Sequence, residues 1–206
     1  MNFVDGEILY IDKPLEWTSF DAVKRVRGAL LRRTGLKKLK VGHAGTLDPL
    51  ATGVMIVCTG RSTKRIEELQ AGTKEYIASI ALGATTPSYD LETEIDAYYP
   101  TEHITRELVE EALCKFIGEI EQVPPTFSAC KVDGKRAYKA ARKGQEVELK
   151  PKKLVIDEIE LLEYDQKEVK IRVVCSKGTY IRALARDLGE ALASGAYVSG
   201  LRRTRV

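Results

Sequence analysis

Along this 206-residue chain the spacing of apolar residues switches repeatedly between the two-residue period of a strand and the 3.6-residue period of a helix. EILYI reads as a short strand. Behind it Thr18 and Asp21 make a capping box, and Phe20, Val23, Val26, Leu30 and Leu31 recur at helical intervals until Gly35. VMIVC, 54–58, is an unbroken apolar run that predicts a buried strand, and STKRIEELQ predicts a short helix capped by Ser62. KEYIASIAL alternates, placing Tyr76, Ala78, Ile80 and Leu82 on one face of a strand. LETEID predicts an edge strand. TRELVEEALCKFIG predicts a helix with the stripe Leu108, Val109, Ala112, Leu113, Phe116 and Ile117.

The Pro124-Pro125 pair closes that region. FSACKVDGKRAY then predicts a strand and an Asp-Gly turn leading into a short basic helix that ends at Gly144. Strands follow at about 145–149, 153–163 and 167–175. TYIRALARDLGEALASG predicts the last helix, and AYVSGLRR a final strand. Strands come in runs, without internal repeats or long linkers, so the pattern favours an α+β fold on a mixed, largely antiparallel central sheet flanked by helices. A doubly wound parallel sheet is the weaker choice.

Charge changes this picture by giving the chain two faces. Between Asp21 and Asp48 there is no acid, while Lys24, Arg25, Arg27, Arg32, Arg33, Lys37, Lys38 and Lys40 ride on the first helix and the loop after it. Residues 90–121 carry ten acids against Arg106 and Lys115. Either block alone is explained as well by a solvated face. A second basic cluster, Arg202, Arg203 and Arg205, tilts the balance toward a polyanionic partner. A 44% hydrophobic content suffices for the core of one large domain or two small ones. No apolar run approaches the roughly 20 residues of a membrane helix, and the N-terminal residues do not read as a signal peptide, so a soluble intracellular protein is expected. Cysteines 58, 114, 130 and 175 lack metal-ligand spacing; Cys58 and Cys175 sit in apolar runs that suit buried thiols, and no metal is expected.

Three positions break local rules. Asp48 is a lone acid in the glycine-rich loop GHAGTLDPLATG, where a phosphate-cradling loop would end in Gly-Lys-Ser/Thr. It suits either a reactive carboxylate or an Asx turn. Arg182 falls in the first turn of the last helix if Thr179 is the cap, where the dipole disfavours a cation by roughly 0.3–1 kcal/mol. A carboxylate acceptor would justify it, as would a phosphate contact, or it is a surface arginine at small cost. Tyr76, like Tyr180, suits either a core tyrosine or an aromatic that carries a base beside a basic groove. Together these residues suit carboxylate chemistry at a sugar or base carbon, with no cofactor demanded.

IDKPLEWTS, VGHAGTLDPLATGVMIVCTGRSTK, KEYIASIALGATTPSYDLETEI, PPTFSACKVDGKRAYKAARKG, CSKGTYIRALARDLG and SGLRRTRV resemble, nearly end to end, the TruB family of tRNA pseudouridine synthases. The resemblance implies the pseudouridine synthase fold, with 1–206 a single catalytic domain, and isomerisation of uridine 55 in the T arm of tRNA. It implies a cytoplasmic enzyme acting without metal, cofactor, membrane or guide RNA. By motif match, Asp48 is the catalytic aspartate, Tyr76 the tyrosine that stacks on the base, and Arg182 the arginine paired with the aspartate. His43, Tyr180, Leu201 and Lys13 are expected to bind substrate.

Two departures from the family pattern stand out. Glu16 replaces a usual glycine, which predicts a differently shaped turn, and the small RNA-binding domain of the PUA type that follows the last motif in many bacterial members is not expected within these 206 residues. The rival class is a noncatalytic RNA-binding module, which leaves Asp48 and Arg182 without a purpose. A nucleotide-binding enzyme fails because CTGRSTK lacks a lysine directly after glycine.

Overall fold

The computed structural model describes residues 2–128, 131–132, 135–136 and 149–206. The fold is α+β, with a mixed, largely antiparallel sheet and flanking helices. The chain divides into two compact units, residues 1–76 with 201–206, and residues 77–200.

The first unit holds strand β1 (Ile8–Lys13), helix α1 (Ser19–Thr34), β2 (Val41–Ala44), β3 (Ala51–Thr59), a 3-10 turn (Gly60–Arg65) and α2 (Ile66–Ala71). It also holds the start of β4 (Lys74–Leu82) and the end of the last strand, β12 (Ala196–Arg205). The sequence forms α1 as its caps dictate: Thr18 and Asp21 complete the capping box, and Gly35 stops the helix in the left-handed region. β3 lies between antiparallel β1, with Lys13 opposite Gly53, and antiparallel β2, with Val41 opposite Thr59. Its first residues pair in parallel with β12, Leu201 opposite Ala51 and Arg203 opposite Gly53.

The apolar run in β3 is continuous because both faces are covered. Met55 and Val57 pack with Ala22, Val26, Leu9, Ile11 and Val41, so α1 covers one face. Ile56 and Cys58 pack with Ala44, Ile66 and Leu69, so α2 covers the other. Phe20 leaves the expected stripe: it is 58% exposed, with the Lys24 ammonium 4.7 Å from its ring centre. The expected helix after β3 starts later than its sequence suggests, because Gly60–Arg65 forms a 3-10 turn and no side chain caps it, Ser62 included.

The second unit carries the rest of β4, a ribbon of β5 (Ala84–Thr85) and β6 (Ala97–Tyr98), α3 (Arg106–Cys114) and β7 (Gly118–Gln122). A second ribbon, β8 (Lys131–Val132) with β9 (Lys135–Arg136), precedes β10 (Lys152–Tyr164), β11 (Glu168–Cys175) and α4 (Ile181–Ala191). Its strands run in the order β12, β4, β11, β10, β7, and β10 pairs antiparallel with both β11 and β7. Thr105 caps α3, whose buried face is Val109, Ala112 and Leu113. The expected strand in LETEID is replaced by turns: Asp90, just before it, accepts from the Ser88 hydroxyl and the Glu92 amide, and Thr93 within it binds the Ser88 hydroxyl. The Asp-Gly turn, the basic helix before Gly144 and most of the strand expected at 145–149 lie outside the described residues.

Gly53 allows β12 to reach β3. Its φ is +109°, and a Cβ there would stand 2.1 Å from the Arg203 carbonyl oxygen. Backbone cannot yield as a flexible side chain does. Gly53→Ala is therefore expected to cost about 3 kcal/mol or more, overpacking and backbone strain together, read as a fall in the urea midpoint at unchanged m.

Candidate active site

The loop between β2 and β3 carries Asp48, and its backbone is held residue by residue. Ser19, in the first turn of α1, is buried; its hydroxyl accepts from the Leu47 amide at 2.9 Å and donates to the Leu47 carbonyl at 3.1 Å. The Ala51 amide donates to the Asp48 carbonyl at 3.0 Å, which makes a turn of Asp48–Ala51. On the far side of Asp48 the Pro49 carbonyl accepts from the Glu16 amide at 2.8 Å and from Lys13 Nζ at 3.3 Å. Asp48 is half-buried in this frame.

Lys13 is 0% exposed, and its ammonium also donates to the carbonyls of Pro14 at 2.8 Å and Trp17 at 2.6 Å. Burial pulls its pKa below the usual lysine range, and the attraction of the Asp48 carboxylate works against that pull. All three donors of the ammonium are thus committed to the loop and the turn before α1. Lys13, to which the family resemblance gives a substrate-binding role, holds the Asp48 loop to the turn before α1 with a side chain that has no exposed surface.

His43 lies on β2 opposite Val57, and its Nδ1 is buried without a hydrogen-bond partner among the described residues. Burial holds its pKa below the ordinary value; the Gly45 backbone opposes this and the positive charge of Arg203 adds to it. Burial and the neighbouring charge thus both favour the neutral form of the ring. Leu201 is half-buried opposite Ala51, three residues after Asp48. Tyr76, also half-buried, is the last residue of the first unit within β4.

The basic C-terminal cluster does not form a free positive patch. Arg202 binds Asp12 in two-pronged fashion, at 2.7 and 3.1 Å, and holds that carboxyl below its usual pKa. Arg205 pairs with Glu75 at 3.6 Å, and Arg203 is 1% exposed. Strand alternation turned Arg203 inward, a position the run of arginines does not reveal. The eight basic residues between 24 and 40 are all exposed, as the sequence suggests. Trp17, Asp21, Lys24, Arg25, Gly28 and Arg32 line a cleft of about 300 Å³ along α1.

In the second unit Arg182 occupies the second position of α4, not the third, because Tyr180 is the N-cap. Thr179 turns its hydroxyl to the Ser176 carbonyl instead. Gln122, buried on β7, takes over the capping: its side-chain oxygen accepts from the Tyr180 amide at 2.9 Å and its nitrogen donates to the Tyr180 carbonyl at 3.2 Å. Nothing in the sequence near α4 points to that residue. Arg182 is 4% exposed; it donates to the carbonyls of Ser88 at 3.1 Å and Phe127 at 2.8 Å and lies 3.7 Å from the Asp90 carboxylate. Its placement excludes a plain surface arginine. Asp90 accordingly leaves the acidic block read from the sequence, since it is buried and held by Ser88 at 2.6 Å.

A half-buried carboxylate on a loop held by buried side chains thus lies in the same unit as an exposed basic helix. The model of the TruB family pseudouridylate synthases, N-terminal domain, matches residues 32–181. Proteins named tRNA pseudouridine synthase B from Phocaeicola vulgatus and Bacteroides fragilis are 74% and 75% identical over the whole chain, which spans 88% of each. The chain of a Cbf5-Nop10-Gar1 complex is 30% identical with a TM-score of 0.72, over 98% of this chain and 49% of that one. The chain belongs to the TruB family of pseudouridylate synthases, and it is an enzyme of the isomerase class. Among the described residues, no helix is long and apolar enough to cross a membrane.

Glu16, where the family resemblance leads one to expect glycine, keeps a glycine-like backbone, with φ +65°. A non-glycine residue in that region costs about 1–2 kcal/mol, of which the looser unfolded chain of a glycine variant returns about 0.4–1. Glu16→Gly is expected to raise stability by about 0.5 kcal/mol with kcat unchanged, measured by urea denaturation and turnover. A loss of stability would mean that the Glu16 side chain supplies contacts worth more than the strain.

Proposed function

We propose that this enzyme converts uridine 55 in the T arm of tRNA to pseudouridine, with Asp48 as the catalytic carboxylate. The observation that carries this is the Asp48 loop: a carboxylate on backbone fixed at Leu47, Asp48 and Pro49, in a chain whose relatives are named for tRNA pseudouridine synthesis. Asp48 promotes cleavage of the bond between uracil N1 and ribose C1′; the uracil turns and is rejoined through C5, whose proton is released. A positioned carboxylate can divide one hard step into two by covalent capture. The resemblance of KEY and GTYIR to the family motifs supports Tyr76 as the aromatic that stacks on the base, Arg182 as the group that keeps the carboxylate ionised, and Tyr180 as a further pocket aromatic. By the same resemblance His43 and Leu201 border the extruded nucleotide, and both units serve one catalytic domain, 1–206.

No guide RNA is needed in this reading, which the high identity to proteins named for tRNA supports over the 30% identity to the Cbf5 chain. The free thiols Cys58, Cys114 and Cys175 suit a reducing cytoplasm.

Tritium release from tRNA labelled at uracil C5 tests the chemistry. Wild type releases it, and Asp48→Asn is expected to lose at least about a thousandfold in rate while still binding tRNA. Binding without release by the wild type would instead identify a noncatalytic RNA-binding module.

Extruding a base costs a few kcal/mol, and phosphate contacts along α1 can offset it. Arg25→Ala/Arg32→Ala, which strips two cations from the α1 cleft, is expected to raise KM for tRNA by about tenfold and to lower the slope of log KM against log salt by up to about 2, with kcat unchanged. An unaltered slope would place the RNA elsewhere.

A further inference from the structure

Arg203 is a long, permanently charged side chain at 1% exposure, and it sits on the one strand that pairs in parallel with the start of β3. Its guanidinium donates Nε to the Val54 carbonyl at 2.8 Å, Nη2 to the Gly45 carbonyl at 3.1 Å and Nη1 to the Thr46 carbonyl at 3.4 Å. All three partners are neutral. A buried cation is costly unless its donors are satisfied, and a sequence that needed only to fill this volume would do so with leucine or methionine. What the fork-shaped head achieves, and an apolar residue does not, is to tie two separated pieces of backbone together in fixed geometry. Those pieces are the residues just before Asp48 and the strand just after it.

We propose that Arg203 is a positioning residue for catalysis: by clamping Gly45 and Thr46 to β3 it fixes where the Asp48 carboxylate stands, and so sets the rate of the chemical step rather than the affinity for RNA. This rests on Asp48 being the catalytic group. The clamp complements the holds on Leu47 from Ser19 and on Pro49 from Lys13, so backbone on both sides of Asp48 is tied to three different elements. Gly45 presents its carbonyl to Arg203 from a backbone with φ +91°, a conformation that side-chain-bearing residues rarely adopt. Burial is the main reason that the His43 pKa lies below its ordinary value, and the positive head of Arg203 adds a smaller push in the same direction.

The test uses the full chain with Arg203→Lys and Arg203→Gln, measuring folding by circular dichroism, kcat and KM on tRNA, and the His43 pKa by NMR titration of its ring proton. Lysine keeps the charge and loses the fork. Arg203→Lys is expected to lower kcat by at least about tenfold, since a displacement of about 1 Å can cost a hundredfold, with KM changed less than about threefold and the His43 pKa unmoved. Arg203→Gln is expected to lower kcat as far and also to raise the His43 pKa, because the neighbouring charge is gone. Folded variants with kcat within about twofold of wild type would overturn the proposal, as would losses confined to KM. Should Arg203→Gln fail to fold, Gly45→Ala, which strains the backbone at φ +91° that presents the Gly45 carbonyl to the arginine, carries the test: an unchanged kcat there also overturns it. Activity retained by Asp48→Asn would instead sink the underlying reading of the carboxylate.

Discussion

Backbone carbonyls held by buried donors are the constraint on which the rest of this molecule's first unit depends. The loop between β2 and β3, residues 45–50, has no regular hydrogen-bond ladder of its own, and a loop of that kind would ordinarily sample many positions. Here Ser19, Lys13 and Arg203 reach it from α1, β1 and β12, and each uses side-chain donors to fix main-chain oxygens. Two of the three are cations with almost no exposed surface. Their desolvation is a stability cost, offset by hydrogen bonds to the carbonyls and, for Lys13, by attraction to Asp48. The loop becomes a rigid mount for one carboxylate.

That mount exists only because β3 is central. Its outer positions are covered by α1 and α2, and its edges are paired with β1 on one side and with β2 and β12 on the other. Gly53 lets the β12 backbone approach closely enough for Arg203 to enter the core at that point. The same economy appears in the second unit, where Gln122 of β7 fixes the start of α4 through the Tyr180 main chain, and Arg182 is then directed onto the Ser88 and Phe127 carbonyls and the Asp90 carboxylate. In both units the polar side chains that matter hold main chain, and the sheet decides which of them face inward.

How legible all this was depends on the range of the interaction. The capping box of Thr18 and Asp21 and the stop at Gly35 bounded α1 closely, because those signals act within four residues. The alternation in KEYIASIAL and the continuous run in VMIVC located β4 and β3 for the same reason. LETEID failed as a strand, and Ser62 and Thr179 failed as caps, where a nearby side chain or main-chain oxygen offered a competing hydrogen bond or where the 3-10 geometry took over. Asp48 was singled out as an acid that did not belong in its loop, and the family motifs gave it meaning. Ser19, Gln122, Asp90 and the inward turn of Arg203 left no mark that spacing alone could read.

The sequence by itself determined the α+β class, the helix caps, the exposed basic helix and the family, since periodicity, capping and motif order are properties of neighbouring residues. Only the tertiary structure decided which charges are solvated and which are buried. Lys13, Arg182, Arg203 and Asp90 look in sequence like any other charged residues, yet strand pairing and helix packing carried them inside. The physical reason is that desolvation and hydrogen bonding depend on which distant segments of chain close over a side chain, and that closure is set by the sheet, not by the residues next to it.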